Sequence, residues 1–236
     1  MLAPVPRTAD DARMSDVASG TFLASLDSDE REALRELGVR RSFPRGTALM
    51  FQNEPDGRVM LLSAGRVKVT RVDHDGHEML LSIRDPGDVL GELALIDGLP
   101  RVATVTALEP VEALVTAVET FRLHLESTPR VAVVLLEVVA RRFRETTLKR
   151  SQFSASDTMG RLAARIVELA DRYGEPADEG VAVNSPLSRE DLAAWTGASR
   201  AGVAHALQGL RELGWVQTER RVLLVRDLQA LRARAA

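Results

Sequence analysis

The chain has 236 residues, 45% hydrophobic and 28% charged, with 31 lysines and arginines against 34 acids and a formal net charge of −3. That length holds two small domains or one large one, and the balance is that of an ordinary globular protein. With no cysteine in the sequence, disulfides, thiol nucleophiles, cysteine-ligated zinc and iron–sulfur clusters are excluded, which fits a reducing cytosol.

Residues 1–20 are polar, carry several acids and lack an apolar signal-peptide core, so they are expected to form a loose tail. No apolar run approaches a membrane span; the longest, Val131 to Ala140, is short and contains Glu137. A cytoplasmic protein with no membrane partner is expected. From Leu23 to Leu37, Leu23, Leu26, Ala33, Leu34 and Leu37 predict a short helical entry segment ended by Gly38. Over residues 40–120, Val-, Leu- and Thr-rich runs alternate with turn clusters such as Asn53-Glu54-Pro55-Asp56-Gly57 and Asp85-Pro86-Gly87-Asp88. Their spacing of about ten residues predicts an antiparallel barrel or sandwich. Arg66 to Val72 alternates, with its valines expected on one face.

From Pro129 the pattern is helical, because Val131, Val134, Leu135, Val138 and Val139 form an apolar stripe that continues to Phe143 and Leu148. A parallel copy of the same helix or the rest of its own domain would serve equally to cover that stripe. Asp157 is a plausible N-cap for a further helix through Leu162, Ile166, Val167 and Leu169, followed by an expected polar loop from Glu175 to Gly180. Residues 188–213 predict two helices around a tight turn, and Trp215 to Val225 a two-stranded hairpin. The expected fold class is α+β, divided into a tail (1–20), a β-rich domain (21–128), a long helix (129–153) and a winged helix-turn-helix (154–236).

Gly91-Glu92-Leu93-Ala94-Leu95-Ile96-Asp97-Gly98-Leu99-Pro100-Arg101-Val102 carries the first chemistry. A cyclic phosphodiester holds one negative charge near neutral pH, and a guanidinium is a permanent forked partner for it; Arg101 can supply this. A short helix from Glu92 would present backbone N–H donors, Gly91 permits close backbone approach, and the Glu92 carboxylate can accept from a ribose 2′-hydroxyl.

The second chemistry lies in Leu187 to Leu210. Ser188 and Ser199 are expected caps, Asp191 completes a near capping box, and Gly197 provides a positive-φ turn. Val203, Ala206, Leu207 and Leu210 should pack inward, leaving Arg200, Ala201, Ala204, His205 and Gln208 outward, where the first turns of a recognition helix meet the major groove. From Ser199 onward there are seven arginines against three acids, a surplus of four that suits phosphate attraction.

The segment 91–105 resembles the phosphate-binding cassette of cyclic-nucleotide-binding domains. Together with residues 140–149 and 188–210, it makes the chain similar to the cyclic AMP receptor protein/fumarate–nitrate regulator family, nearest the cyclic AMP receptor branch. The resemblance implies an N-terminal barrel of the double-stranded β-helix type, a dimerising helix through residues 129–153, and a near-palindromic duplex DNA operator. It places ligand contacts on Gly91, Glu92, Leu93, Arg101 and Val102, with Arg142 lining the pocket and Thr146 and Thr147 reaching the adenine amino group. Val102 lacks the hydroxyl that often follows the cassette arginine in cyclic GMP binders, so cyclic AMP is the implied effector. The family's phosphate contacts fall on Ser188 and Arg189, and its base-reading positions on Arg200, Ala201 and His205, with Ser199 and Ala204 alongside. Ala201 cannot accept from cytosine, so the half-site is expected to differ from that branch.

RNA polymerase is a further implied partner. No metal, haem or iron–sulfur cofactor and no catalysis are expected; His74 and His77 are taken as turn residues. The competing readings are a ligand-independent regulator of the same fold and a nucleotide-binding regulatory protein whose winged domain contacts protein.

Overall fold

The computed structural model describes residue 18 and residues 20–55, 57–153, 156–184, 186–219 and 222–235, with only the backbone described for 149–153. The expected N-terminal tail lies almost wholly outside the described residues. Two compact units emerge: one runs to Gly76 and resumes over Leu81–Phe143, and the other holds His77–Leu80 and the chain from Arg144 onward.

The first unit opens with a 3-10 turn, Leu23–Ser25, and helix α1, Ser28–Arg35. The predicted single entry helix is broken because Leu26 is extended. Asp27 then starts a new helix through a capping box: its Oδ1 accepts from the Glu30 N–H at 2.9 Å, and Glu30 Oε2 accepts from the Asp27 N–H at 3.0 Å. The chain continues through β1 (Val39–Phe43), β2 (Ala48–Met50), β3 (Arg58–Ala64), β4 (Val67–Val72), β5 (Glu78–Arg84), β6 (Val89–Leu90), helix α2 (Glu92–Asp97), β7 (Thr104–Ala107), β8 (Val111–Ala117) and helix α3 (Val118–Ser127). The strands form two four-stranded sheets, in the orders β1-β8-β3-β6 and β2-β7-β4-β5. This is a two-sheet jelly roll rather than a continuous closed barrel.

The two faces of β3 feed two cores, as a period of two requires. Met60 and Leu62 pack with Leu49, Met50, Val67, Leu90, Val105, Ala107, Val111 and Ala113 from both sheets. Val59 and Leu61 face a second cluster with Leu34, Val89, Leu95, Leu114 and Phe121. In β4, Val67 and Val69 share a face against the first core, as the alternation implies, whereas Val72, three residues on from Val69, is exposed.

Helix α4 spans Pro129–Phe153. Its Val131, Val134, Leu135 and Val138 are buried in that second cluster. As far as Val138 the stripe read from the sequence therefore covers its own domain, whereas its expected continuation, Phe143 and Leu148, is exposed. Phe143 instead falls in a second set, Val133, Leu136, Ala140, Phe143 and Thr147, which is exposed at alternating spacings of three and four.

In the second unit, helix α5 (Thr158–Tyr173) leads to β9 (Gly174–Ala177), β10 (Gly180–Asn184), helix α6 (Arg189–Thr196), helix α7 (Arg200–Glu212), β11 (Val216–Glu219), β12 (Val222–Val225) and helix α8 (Leu228–Ala235). The segment expected to be a polar loop after Tyr173 is an antiparallel hairpin, and β10 also pairs with β12. The expected two-stranded wing is thus part of a four-stranded sheet, β11-β12-β10-β9. Three apolar residues of β10, Val181, Ala182 and Val183, were too few for periodicity to reveal a strand.

Asp157 caps α5, accepting from the Gly160 N–H at 2.8 Å. That bond, and then the Arg234 guanidinium, hold its carboxyl below the usual carboxylate range. A lowered folded-state pKa means that the stabilisation is present at neutral pH and lost as pH falls through it. Asp157→Ala is expected to cost about 1 kcal/mol at pH 7. Denaturant unfolding should show the gap from wild type closing in acid.

Candidate functional site

Gly91 adopts φ +84° and caps α2. A Cβ at this position would lie 2.4 Å from Arg101 Nη1, so glycine is required for both the left-handed backbone and the approach of the guanidinium. Arg101 is only 4% exposed. Its Nη1 donates to the Gly91 carbonyl at 3.0 Å and its Nη2 to the Arg58 carbonyl. Its backbone is fixed by the loop before β3: the Asn53 N–H donates to the Arg101 carbonyl at 2.8 Å, and the Arg101 N–H to the Glu54 carbonyl at 3.1 Å. Backbone dipoles on two sides thus aim the fork before any ligand arrives.

Glu92, at the start of α2, meets Arg142 of α4: Arg142 Nη1 lies 2.7 Å from Glu92 Oε1 and 3.1 Å from the Val89 carbonyl. Nη2 reaches Asp88 Oδ1 at 2.6 Å. Burial on its own would lower the Arg142 pKa, but the nearby Glu92 and Asp88 carboxylates raise it above the ordinary value. The structure therefore brings Gly91, Glu92, Arg101 and Arg142 together. Leu93 and Val102 are exposed beside them, and the Val102 carbonyl accepts from Arg71 at 3.0 Å. Thr146 and Thr147 are exposed on α4, past the limit of this unit.

Sequence reasoning missed Asp88. It was read as the end of the Asp85–Asp88 turn, yet it is 7% exposed. Its only signal was a carboxylate directly preceding the buried pair Val89-Leu90.

In the second unit the helix-turn-helix is built as its caps require. Ser188 and Asp191 form a full capping box, Gly197 turns at φ +59°, and Ser199 Oγ accepts from the Gly202 N–H at 3.0 Å. Val203, Ala206, Leu207 and Leu210 are buried, while Ser188, Arg189, Ser199, Arg200, Ala201, Ala204, His205 and Gln208 are exposed. Behind them, Trp195 is buried, with the Arg165 guanidinium 5.0 Å above its ring, and Arg161 Nε donates to the Thr196 carbonyl at 2.8 Å.

The basic surplus near the C-terminus is smaller than the local count suggests. Arg226 pairs with Glu179, Arg232 with Asp171, Arg234 with Asp157, and Arg200 with Glu190 at 3.2 Å. These acids all precede residue 199, so a count begun there omits them. Arg220 and Arg221 lie outside the described residues.

A jelly roll with an arginine-bearing phosphate cassette, followed by a long helix and a winged helix-turn-helix, defines a nucleotide-binding regulator of DNA. Residues 40–127 match the cyclic nucleotide-binding domain family, and residues 160–234 the Crp-like helix-turn-helix domain. The chain is 34% identical to a CRP-like cAMP-activated global transcriptional regulator of Mycobacterium tuberculosis, over 82% of this chain and 86% of that protein. It is 29% identical to the cyclic AMP receptor protein of Thermus thermophilus, over 81% of this chain and 86% of that protein. Its fold is also that of a CooA mutant from Carboxydothermus hydrogenoformans, with a TM-score of 0.76 at 22% identity over 95% of this chain and 99% of that one. The chain belongs to the CRP/FNR family of transcription regulators, and its role is regulatory rather than enzymatic. No helix among the described residues is long and apolar enough to cross a membrane.

Proposed function

We propose that the chain is a cyclic AMP-responsive, sequence-specific DNA-binding regulator that acts as a homodimer in the cytoplasm. The observation that carries the ligand assignment is the buried Arg101 fork, held by the Gly91 and Arg58 carbonyls, with Glu92 following Gly91 at the start of α2. Arg101 takes the cyclic phosphate, the N–H groups of Glu92 and Leu93 add donors, and Glu92 takes the ribose 2′-hydroxyl. Thr146 and Thr147 take the adenine amino group, one from each protomer. Val102, which has no hydroxyl, offers nothing to a guanine amino group. The cyclic AMP-activated relative at 34% identity supports the same choice of nucleotide.

Calorimetric titration with cyclic AMP tests this reading. Saturable heat is expected at one site per chain, and no heat would refute the assignment.

Dimerisation is proposed through α4. Val133, Leu136, Ala140, Phe143 and Thr147 follow the three–four spacing of a coiled-coil seam, and Val133, Leu136 and Phe143 are 53%, 57% and 72% exposed. Leu136→Glu should shift the protein from dimer to monomer in sedimentation while leaving its far-UV spectrum unchanged, whereas a persistent dimer would move the interface elsewhere.

The DNA assignment follows from the outward set on α6 and α7. Ser188 and Arg189 grip phosphates, Arg200 reads guanine, and Ala201, Ala204 and His205 line the rest of the groove-facing surface. RNA polymerase is the proposed further partner.

A further inference from the structure

Resting on the nucleotide reading above, we propose that Asp88 is a positioning residue for the ribose subsite. It holds Arg142 so that one oxygen of Glu92 remains available to the nucleotide's 2′-hydroxyl.

The anchor is rigid. The Asp88 N–H donates to the Asp85 carbonyl at 3.0 Å, and the Gly87 N–H and Asp88 carbonyl bond Leu62 of β3 at 2.8 and 2.9 Å. Both carboxylate oxygens of Asp88 are engaged: Oδ2 accepts from the Asp85 N–H at 3.0 Å and Oδ1 from Arg142 Nη2 at 2.6 Å. Glu92 is engaged differently. Its Oε1 receives Arg142 Nη1 at 2.7 Å, and among the described residues Oε2 has no hydrogen-bond partner. The side chains of Asp88, Glu92 and Arg142 are 11–12% exposed, so these bonds form away from bulk water.

A guanidinium that faces a single carboxylate closes on it with two parallel bonds, one to each oxygen. Here the second prong is drawn to Asp88, so the fork is split between two carboxylates and cannot close on Glu92. Oε2 then accepts the ribose hydroxyl without competing with Arg142, and the bond from Arg142 to Oε1 keeps Glu92 aimed. Asp88 touches no ligand atom and acts through Arg142.

The test compares cyclic AMP with 2′-deoxy cyclic AMP by calorimetry on the full chain. Wild type should prefer the ribonucleotide about tenfold or more, as expected for a hydrogen bond to a charged acceptor. In Asp88→Asn, Arg142 is released to close on Glu92, and the preference should fall to within about threefold. Adding Arg142→Lys to Asp88→Asn replaces the fork with a point donor, and the preference should return. A role confined to folding predicts no such return. Should Asp88→Asn fail to fold, Asp88→Ser, whose hydroxyl still accepts from the Asp85 turn, carries the same expectation. An unchanged preference in a folded variant at position 88 overturns the role of Asp88. A wild type that binds both nucleotides equally overturns the ribose subsite. A wild type that binds neither overturns the proposed function itself.

Discussion

Arg101→Leu is expected to lower cyclic AMP affinity at least about a hundredfold. Removing one partner of a buried charged pair costs roughly 3–5 kcal/mol, and each factor of ten in affinity corresponds to about 1.4 kcal/mol. Arg101 is 4% exposed, so water cannot replace its contribution to a bound phosphodiester. Leucine also takes the guanidinium donors from the Arg58 carbonyl and from the Gly91 carbonyl, which keeps the Leu95 N–H at 3.3 Å, at a cost of about 1–3 kcal/mol in stability where a buried acceptor is left unsatisfied. Calorimetry should therefore be run where circular dichroism shows the variant to be folded. Arg101→Lys separates charge from geometry: the ammonium keeps the charge but lacks the fork, so its affinity should fall between wild type and Arg101→Leu. Wild-type affinity in the leucine variant would remove the cassette from the account.

Arg200→Ala is expected to flatten sequence recognition. A bidentate arginine–guanine contact is worth about 1–3 kcal/mol of discrimination, or roughly ten- to a hundredfold at the base it reads. In the structure Arg200 pairs with Glu190 at 3.2 Å, with side chains 76% and 55% exposed. A pair so open to solvent contributes little, so it yields readily to a base edge. Arg189→Ala should behave differently. As a phosphate contact, its loss should weaken all duplexes alike and reduce the salt slope by about one per protomer. Competition between a selected operator and random duplex separates the two: Arg200→Ala lowers the ratio, and Arg189→Ala lowers both affinities. An unchanged ratio in Arg200→Ala would show that base reading lies elsewhere.

The parts legible in the sequence were those that rest on local rules. Ser188, Asp191, Gly197 and Ser199 form caps and a turn within a few residues of one another, and the structure builds them as their spacing implies. Gly91, Glu92 and Arg101 stand in one short cassette, and their proximity follows from its connectivity. The parts that stayed hidden depend on which face meets which. Helix α4 is apolar on two sides, and periodicity cannot say whether Val131–Val138 or Val133–Phe143 faces the domain; the jelly roll decides it by burying the former. The hairpin at Gly174–Asn184 depends on β12, some 40 residues further on, to give it a sheet. Asp88 acquires its meaning only through Arg142, 54 residues away. Charge pairing is hidden for the same reason, since Arg226, Arg232 and Arg234 find acids that lie 47 to 77 residues earlier.

The central claim is that ligand in the cassette controls the reading head, which requires two states that differ in their affinity for cyclic AMP. The most direct measurement is the affinity for a duplex selected from a random pool, titrated at fixed salt with and without saturating cyclic AMP. The account predicts a tighter complex with the nucleotide, on a near-palindrome with half-sites about one helical turn apart. Equal affinity in both arms would contradict it and leave a regulator that reads DNA without regard to the ligand.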